Sequence, residues 1–384
     1  MKRRFCRVML AAVIIAVCIM SGIILRGAEI NDAFAETSGF QTSAQSMLLL
    51  ENSTNRVLYE RNADKKRPMA STTKIVTAIT VIENEGNLER TVKVPSVAVG
   101  VEGSSVYLER DEELKIIDLL HGLMLQSGND CAVALAVIVG GSVEKFAEMM
   151  NATAKKAGAT NSNFVNPHGL HDDNHYTTAR DLALISSYAM KNPVFESIVA
   201  TKRYTMPWKG RDYDRVVINK NKILSTFDGG DGIKTGYTKK AGRCLVSSAT
   251  RDGMRVICVV LDCGPMFEDC GALMEQAFSE YKLEKVCGTD KMCTVPVKEG
   301  KADFVDCAPE KELYYPLKEG EKDLIDCRIE KADGLTAPVG AGVEVGKIKI
   351  TLANRLLFEE KLVTIKGVNE LDYLDRLKEV IGGW

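Results

Sequence analysis

The period of the apolar pattern changes once along this chain, near Leu283. From about Gln41 to Tyr281, short alternating runs are interleaved with segments whose apolar residues recur every three or four positions. Downstream come short alternating runs separated by Gly and charged turns, with hardly any helical periodicity. Such a pattern predicts two folded units, and 384 residues suffice for both. The first is a mixed α/β unit, α+β in arrangement; the second is a small all-β domain.

In the first unit, Ala44–Leu50 and Arg56–Glu60 flank Asn52-Ser-Thr-Asn55 and read as a hairpin. Helical spacing covers Ser71 to about Glu83, Leu114–Leu125, Ala132–Val139, Ser142 to about Ala157 and Ala179 to about Lys191. Ser71 stands where a helix cap is expected. Cys244–Ala249 and Met254–Leu261 read as strands around the Arg251-Asp-Gly253 turn, and Cys270–Tyr281 returns to helix.

The second unit, about residues 285–366, contains a repeat: Lys298-Glu-Gly-x-x-Asp-x-x-Asp-Cys307 recurs as Lys318-Glu-Gly-x-x-Asp-x-x-Asp-Cys327. Two such units predict duplicated turn-and-strand elements. If these are neighbouring strands they bring Cys307 and Cys327 face to face, although facing alone does not meet disulfide geometry. Gly346–Leu352 alternates cleanly and is expected to pair with Leu356–Ile365. The last stretch, within 368–384, puts Leu371, Leu374, Leu377, Ile381 and Trp384 on one helical side. Its polar side is acidic on balance, the wrong sign for anionic lipid, so packing on the protein competes with lying on a membrane surface.

Residues 1–35 carry a basic start (Lys2, Arg3, Arg4, Arg7), an apolar run from Val8 to Leu25, and Ala33-Phe-Ala35. These are the parts of a secretory signal peptide. The run is also close to bilayer-spanning length, so an uncleaved anchor is the alternative. Either reading places the remainder outside the cytoplasmic membrane. Cleavage after Ala35 moves the formal charge from −2 to about −5, which speaks against a nucleic-acid partner. Of eleven cysteines, nine lie beyond Ala35; the number is odd and no C-x-x-C occurs, so buried free thiols are the expectation.

Three short stretches carry chemistry together. In Ser71-Thr-Thr-Lys74, a three-residue helical spacing lets the Lys74 amine reach the Ser71 hydroxyl. A serine is a weak nucleophile until a base takes its proton, and lysine is that base only when desolvation or a neighbouring cation lowers its pKa. Ser127-Gly-Asn129 sits between two apolar helices, and Lys234-Thr-Gly236 lies in a strand-like run. Singly, each has an ordinary explanation: a capping serine, a polar turn, a strand edge. In this order they form the signature set of penicillin-binding proteins and serine β-lactamases.

With their surroundings, Pro68–Ile75, Leu125–Asp130, Asn166-Pro-His-Gly-Leu-His171 and Asp231–Tyr237 closely resemble the D-alanyl-D-alanine carboxypeptidases among the low-molecular-mass penicillin-binding proteins. The resemblance implies a β-lactamase/transpeptidase-like catalytic domain over about 41–282, with an antiparallel sheet packed against helices, followed by a β-rich domain. It implies that Ser71 attacks the peptide bond between the last two D-alanines of peptidoglycan stem peptides, with Lys74 accepting its proton. Ser127 would relay a proton to the leaving amine, Asn129 would hold substrate backbone and steady Lys74, and Lys234 with Thr235 would bind the terminal carboxylate. Gly236 would admit substrate backbone closely, and the N–H groups of Ser71 and Tyr237 would form the oxyanion hole. No metal or cofactor is implied, and β-lactam antibiotics would acylate Ser71.

One departure stands out. Related enzymes often carry an arginine just after the strand ending here at Leu261, whereas this chain has Asp262-Cys-Gly-Pro-Met-Phe-Glu-Asp-Cys270. Either Lys234 and Thr235 suffice, or Arg243 or Lys239 substitutes. His168, His171 and His175 have a spacing that also occurs in metal sites, but their stretch belongs to the family motif. A D,D-endopeptidase, a β-lactamase and a catalytically weak wall-binding sensor remain as rival functions; the intact Ser71, Lys74, Ser127 and Lys234 set speaks against the last.

Overall fold

The computed structural model describes residues 42–208, 210–375 and 377, together with the backbone of Glu36–Thr37. The expected signal peptide and the end of the tail lie outside the described residues. The chain divides into two compact units at Ser279/Glu280.

The first unit is built around one main sheet, and short segments Thr91–Lys93 and Glu113–Lys115 pair apart from it. Its strands are β1 (Ser46–Glu51) and β2 (Val57–Arg61), then β3 (Arg203–Met206) and β4 (Arg215–Ile218) in a separate hairpin, then β5 (Gly230–Thr238), β6 (Gly242–Arg251) and β7 (Met254–Leu261). The sheet order is β2-β1-β7-β6-β5, antiparallel throughout, with Glu36–Thr37 joining β2 in parallel at the far edge. Central β7 is buried along almost its whole length, which is why it reads as a continuous apolar run rather than an alternation. Strand β5 ends the order, so among the described residues its outer edge has no strand partner.

The helices are α1 (Lys74–Asn84), α2 (Ile116–Leu125), α3 (Asn129–Gly140), α4 (Val143–Lys156), α5 (Ala179–Met190), α6 (Pro193–Ala200) and α7 (Met266–Glu280). Local chemistry fixes their ends. Ser142 and Thr178 accept from the N–H groups of Lys145 and Asp181, Asn192 caps α6 ahead of Pro193, and Gly141 closes α3 at φ 80°. Helix α1 is buried nearly all round, as its apolar composition dictates. Its start differs from the sequence expectation. Ala70–Thr73 forms a 3₁₀ turn leading into α1, and Ser71 does not cap the helix. Its hydroxyl is thereby left for Lys74.

The second unit comprises β8 (Tyr281–Cys287), β9 (Cys293–Lys298), β10 (Phe304–Pro309), β11 (Leu313–Lys318), β12 (Ile325–Lys331), β13 (Glu344–Leu352) and β14 (Arg355–Thr364). Its larger sheet runs β12-β13-β14-β10-β9, with Leu335–Thr336 at the β9 edge, while β8 pairs with β11. Val295, Val297, Val305, Val345 and Leu362 fill one core. Each repeat spans the end of one strand, a turn and the next strand, as its duplicated pattern predicts. The two second strands are not neighbours: β13 and β14 separate β10 from β12. Cys307 therefore does not face Cys327; it lies opposite Cys293, and Cys327 opposite Ile350. The described cysteines are free thiols. The start of the tail is tied down by Lys301, which bridges Asp372 and Asp375. No helix among the described residues is long and apolar enough to cross a membrane.

Candidate active site

The 3₁₀ turn, the α2–α3 connection and edge strand β5 bring the three motifs together. Lys74, first residue of α1, is fully buried, and its Nζ lies 3.2 Å from Ser71 Oγ, 2.7 Å from Asn129 Oδ1 and 2.8 Å from the His168 carbonyl. Burial first, then the charge of Lys234, hold the Lys74 ammonium well below the usual lysine range. In the amine form its two N–H bonds satisfy Asn129 and His168. The lone pair then remains for the Ser71 hydroxyl proton.

Asn129 opens α3. Its amide oxygen accepts from Lys74 while Nδ2 donates to Glu102 O at 2.6 Å, and its backbone N–H donates to Ser104 O at 2.7 Å. Ser127, at φ 66°, turns the chain sharply between α2 and α3. It is 5 % exposed, and its hydroxyl makes no hydrogen bond to another described residue. A left-handed backbone at a non-glycine residue is strained, and such strain concentrates at functional sites.

Strand β5 presents Lys234, 2 % exposed, whose Nζ donates to the Thr235 carbonyl at 3.1 Å. Burial, then nearby Lys220, lower its pKa to about 7. Gly236 meets the nucleophile turn. A Cβ there would lie 3.0 Å from Met69 O and 3.1 Å from both Ser71 N and Thr72 N. Gly236, expected to admit substrate backbone, also lets β5 press against the Ser71 turn through its missing side chain. Tyr237, next along β5, pairs with Arg243 of β6 and is largely exposed. Arg243 Nη1 donates to Gly264 O at 3.2 Å, so this arginine reaches the Asp262–Pro265 segment where the expected arginine is missing.

The histidines have separate partners. Val165 N–H donates to His175 Nδ1, so Nε2–H donates to Thr73 Oγ1 at 2.8 Å, and that hydroxyl donates to Ala70 O. Burial lowers His175 to about 4 and His168 to about 3. His168 Nδ1 accepts from Leu170 N–H, and His171 faces Asp173. The stretch braces the nucleophile turn and supplies the His168 carbonyl to Lys74.

Lys220 was not singled out from sequence. It donates to Gln126 O at 2.9 Å, and its charge lowers both Lys234 and Lys74. The Asn219-Lys-Asn221 triplet after β4 was its only signal, and polar triplets at strand ends are common.

A family model described as D-alanyl-D-alanine carboxypeptidase matches residues 32–264. The chain belongs to the D-alanyl-D-alanine carboxypeptidase family. It is therefore a serine hydrolase of the penicillin-binding type, with the mixed α+β domain and following all-β domain that this type carries. A second model, the C-terminal domain of penicillin-binding protein 5, matches residues 281–370. The D-alanyl-D-alanine carboxypeptidase DacF of Bacillus subtilis is 31% identical over 368 residues, covering 92% of this chain and 94% of that protein. DacC of Escherichia coli is 30% identical, over 88% of this chain and 87% of its own. Penicillin binding protein 5 from Haemophilus influenzae superposes with a TM-score of 0.70 at 27% identity, over 87% of this chain and 99% of that one.

Proposed function

We propose that this enzyme removes the terminal D-alanine from peptidoglycan stem peptides, with Ser71 as nucleophile and Lys74 as its base. The observation that carries the reading is the buried Lys74 amine, its two N–H bonds satisfied by Asn129 and His168 and its third direction facing Ser71 Oγ at 3.2 Å. Lys74 Nζ takes the Ser71 proton as Oγ attacks the carbonyl carbon of the penultimate D-alanine. The N–H groups of Ser71 and Tyr237 hold the oxyanion. The C–N bond then breaks, and the leaving D-alanine amine takes a proton through Ser127 Oγ. An ester on Ser71 remains. Water, deprotonated through Ser127 and Lys74, releases the shortened peptide. Charged Lys234 and Thr235 Oγ1 bind the terminal carboxylate, and Gly236 leaves β5 open to substrate backbone.

Penicillin, a mimic of the D-Ala-D-Ala end, acylates the same serine. The enzyme works outside the cytoplasmic membrane, on the cell wall, exported by residues 1–35 and associated with the membrane surface through that segment or the 368–384 tail. Residues 41–282 constitute the catalytic domain and 285–366 the β-rich one. The test is D-alanine release from a D-Ala-D-Ala-ended peptide, compared with a cross-linked peptide and with penicillin. Ser71-dependent release from the linear peptide supports the carboxypeptidase. Preferred cleavage of cross-links would assign an endopeptidase, rapid penicillin turnover a β-lactamase, and covalent label without D-alanine release a sensor.

A further inference from the structure

Strand β12 ends the larger sheet of the second unit, and the sequence along its free edge is self-complementary. Its inner edge pairs with β13 in register from Ile325 opposite Leu352 to Lys331 opposite Gly346. Just beyond the two ends, Ala353 N–H donates to Leu324 O and Ala332 N–H to Val345 O. Hydrogen-bonded positions alternate along an antiparallel pair, so the even-numbered residues turn their backbone groups towards β13. Ile325, Cys327 and Ile329 therefore turn theirs outwards, and among the described residues no strand lies on that side.

The edge reads Ile325-Asp326-Cys327-Arg328-Ile329, symmetric about Cys327 except that the charge reverses. Asp326 and Arg328 are exposed, and Arg328 Nε donates to Asp326 Oδ2 at 3.1 Å. Ile325 and Ile329 are half-buried against the core that contains Ile348 and Ile350. Cys327 is the one exposed thiol among the described cysteines. Charge on a sheet edge ordinarily repels a second strand. That protection fails against a second copy of this chain. Antiparallel pairing about a two-fold axis at Cys327 sets each Asp326 opposite the other copy's Arg328.

We propose that β12 is a self-association edge through which two copies of this chain join antiparallel, with the two-fold axis at Cys327. Cys327 then forms a hydrogen-bonded pair with its counterpart, each N–H donating to the other's carbonyl, and Ile325 pairs with Ile329 in the same way. Asp326 and Arg328 fall at the intervening positions, where opposing side chains lie closest and opposite charges favour pairing. The same strand is used on both copies, so the contact closes on itself and does not propagate. Centring the axis on Asp326 or Arg328 would oppose like charges. Centring it on Ile329 would set Cys327 against Lys331, whose ammonium already donates to Thr294 O.

Sedimentation equilibrium of the purified protein over a concentration series reads the association. The parent is expected to dimerise reversibly, and more weakly as salt is raised. Asp326→Arg and Arg328→Asp each oppose like charges twice, and each should raise the dissociation constant at least about tenfold. Mixing the two variants restores both ion pairs, so the mixture should sediment as a heterodimer. Glu330→Lys, which would break the register centred on Ile329, should leave the dimer unchanged. A short bis-maleimide should join the dimer through Cys327 of both copies, located by peptide mapping. The substituted side chains are exposed, and an unchanged thermal midpoint in dilute solution confirms that each variant folds. A parent that stays monomeric throughout, a dimer indifferent to either charge reversal or broken by Glu330→Lys, a mixture that stays monomeric, or a cross-link at another cysteine would overturn the proposal.

Discussion

Lys74 Nζ is closer to Asn129 Oδ1, at 2.7 Å, than to Ser71 Oγ, at 3.2 Å. The amide oxygen orients the Lys74 amine, the proposed base, without charging it, because a neutral acceptor favours the ammonium far less than a carboxylate would. Asn129→Asp replaces that oxygen with an anion and raises the Lys74 pKa. The acid limb of kcat/KM then moves to higher pH, since Lys74 must be neutral to accept the proton. A pH profile of penicillin acylation in parent and variant measures the shift, and an unchanged limb would remove Lys74 as the base.

Lys234 gives the opposite limb. In its proposed role it must be charged to bind the substrate carboxylate, and burial lowers its pKa to about 7 in the free enzyme. Activity measured as kcat/KM should therefore fall as pH rises through about 7. In kcat the limb lies higher, because bound substrate carboxylate stabilises the ammonium. Lys234→Arg stays charged and loses this limb, at some cost in rate because a guanidinium does not fit the ammonium's place. An alkaline limb that persists in Lys234→Arg would place the titration elsewhere.

Gly236→Ala forces a Cβ to within 3.0 Å of Met69 O and 3.1 Å of Ser71 N. Either β5 or the nucleophile turn must shift, at about 1–3 kcal/mol for an overpacked site. Thermal unfolding should show a lower midpoint, and the penicillin acylation rate should drop with it. A variant equal to the parent in both would show that the contact between β5 and the turn is not needed.

Burial lowers His175 to about 4 against an ordinary value of 6.5. The unfolded chain then binds more protons than the native one below pH 6.5, so stability falls as pH drops from 6.5 through 4. His168, at about 3, acts in the same direction to lower pH still. Denaturant unfolding at pH 7 and pH 5 measures the loss. His175→Gln should be less stable at pH 7 and show a smaller difference between the two pH values; an equal difference would assign the dependence to other groups.

The residues that make the candidate site were legible to different degrees, for a physical reason. Ser71, Lys74, Ser127, Asn129 and Lys234 were visible because side-chain chemistry at fixed spacing is written in the sequence. The His168 carbonyl, Glu102 O and Lys220 were not, because a backbone acceptor looks the same at every position and Lys220 reaches the site only through tertiary folding. Most helices and strands of the first unit were legible within a few residues, since long periodic segments declare themselves. Ser71 as a helix cap was misread, because a 3₁₀ turn and a helix start share the same short polar signature. A repeat reveals similar elements but not their order in a sheet, so the condition for Cys307 and Cys327 to face each other, neighbouring strands, was not readable and is not met. The short β3–β4 hairpin left no strong period of its own.

Ser71, and no other residue, is expected to be the acylated nucleophile. Intact-protein mass measurement after incubation with benzylpenicillin, followed by peptide mapping, tests it most directly. One adduct per chain, mapped to Ser71, abolished by Ser71→Ala and formed at least about a hundredfold more slowly by Lys74→Ala, is the expected result. An adduct on another residue, or one that survives Ser71→Ala, would contradict the account.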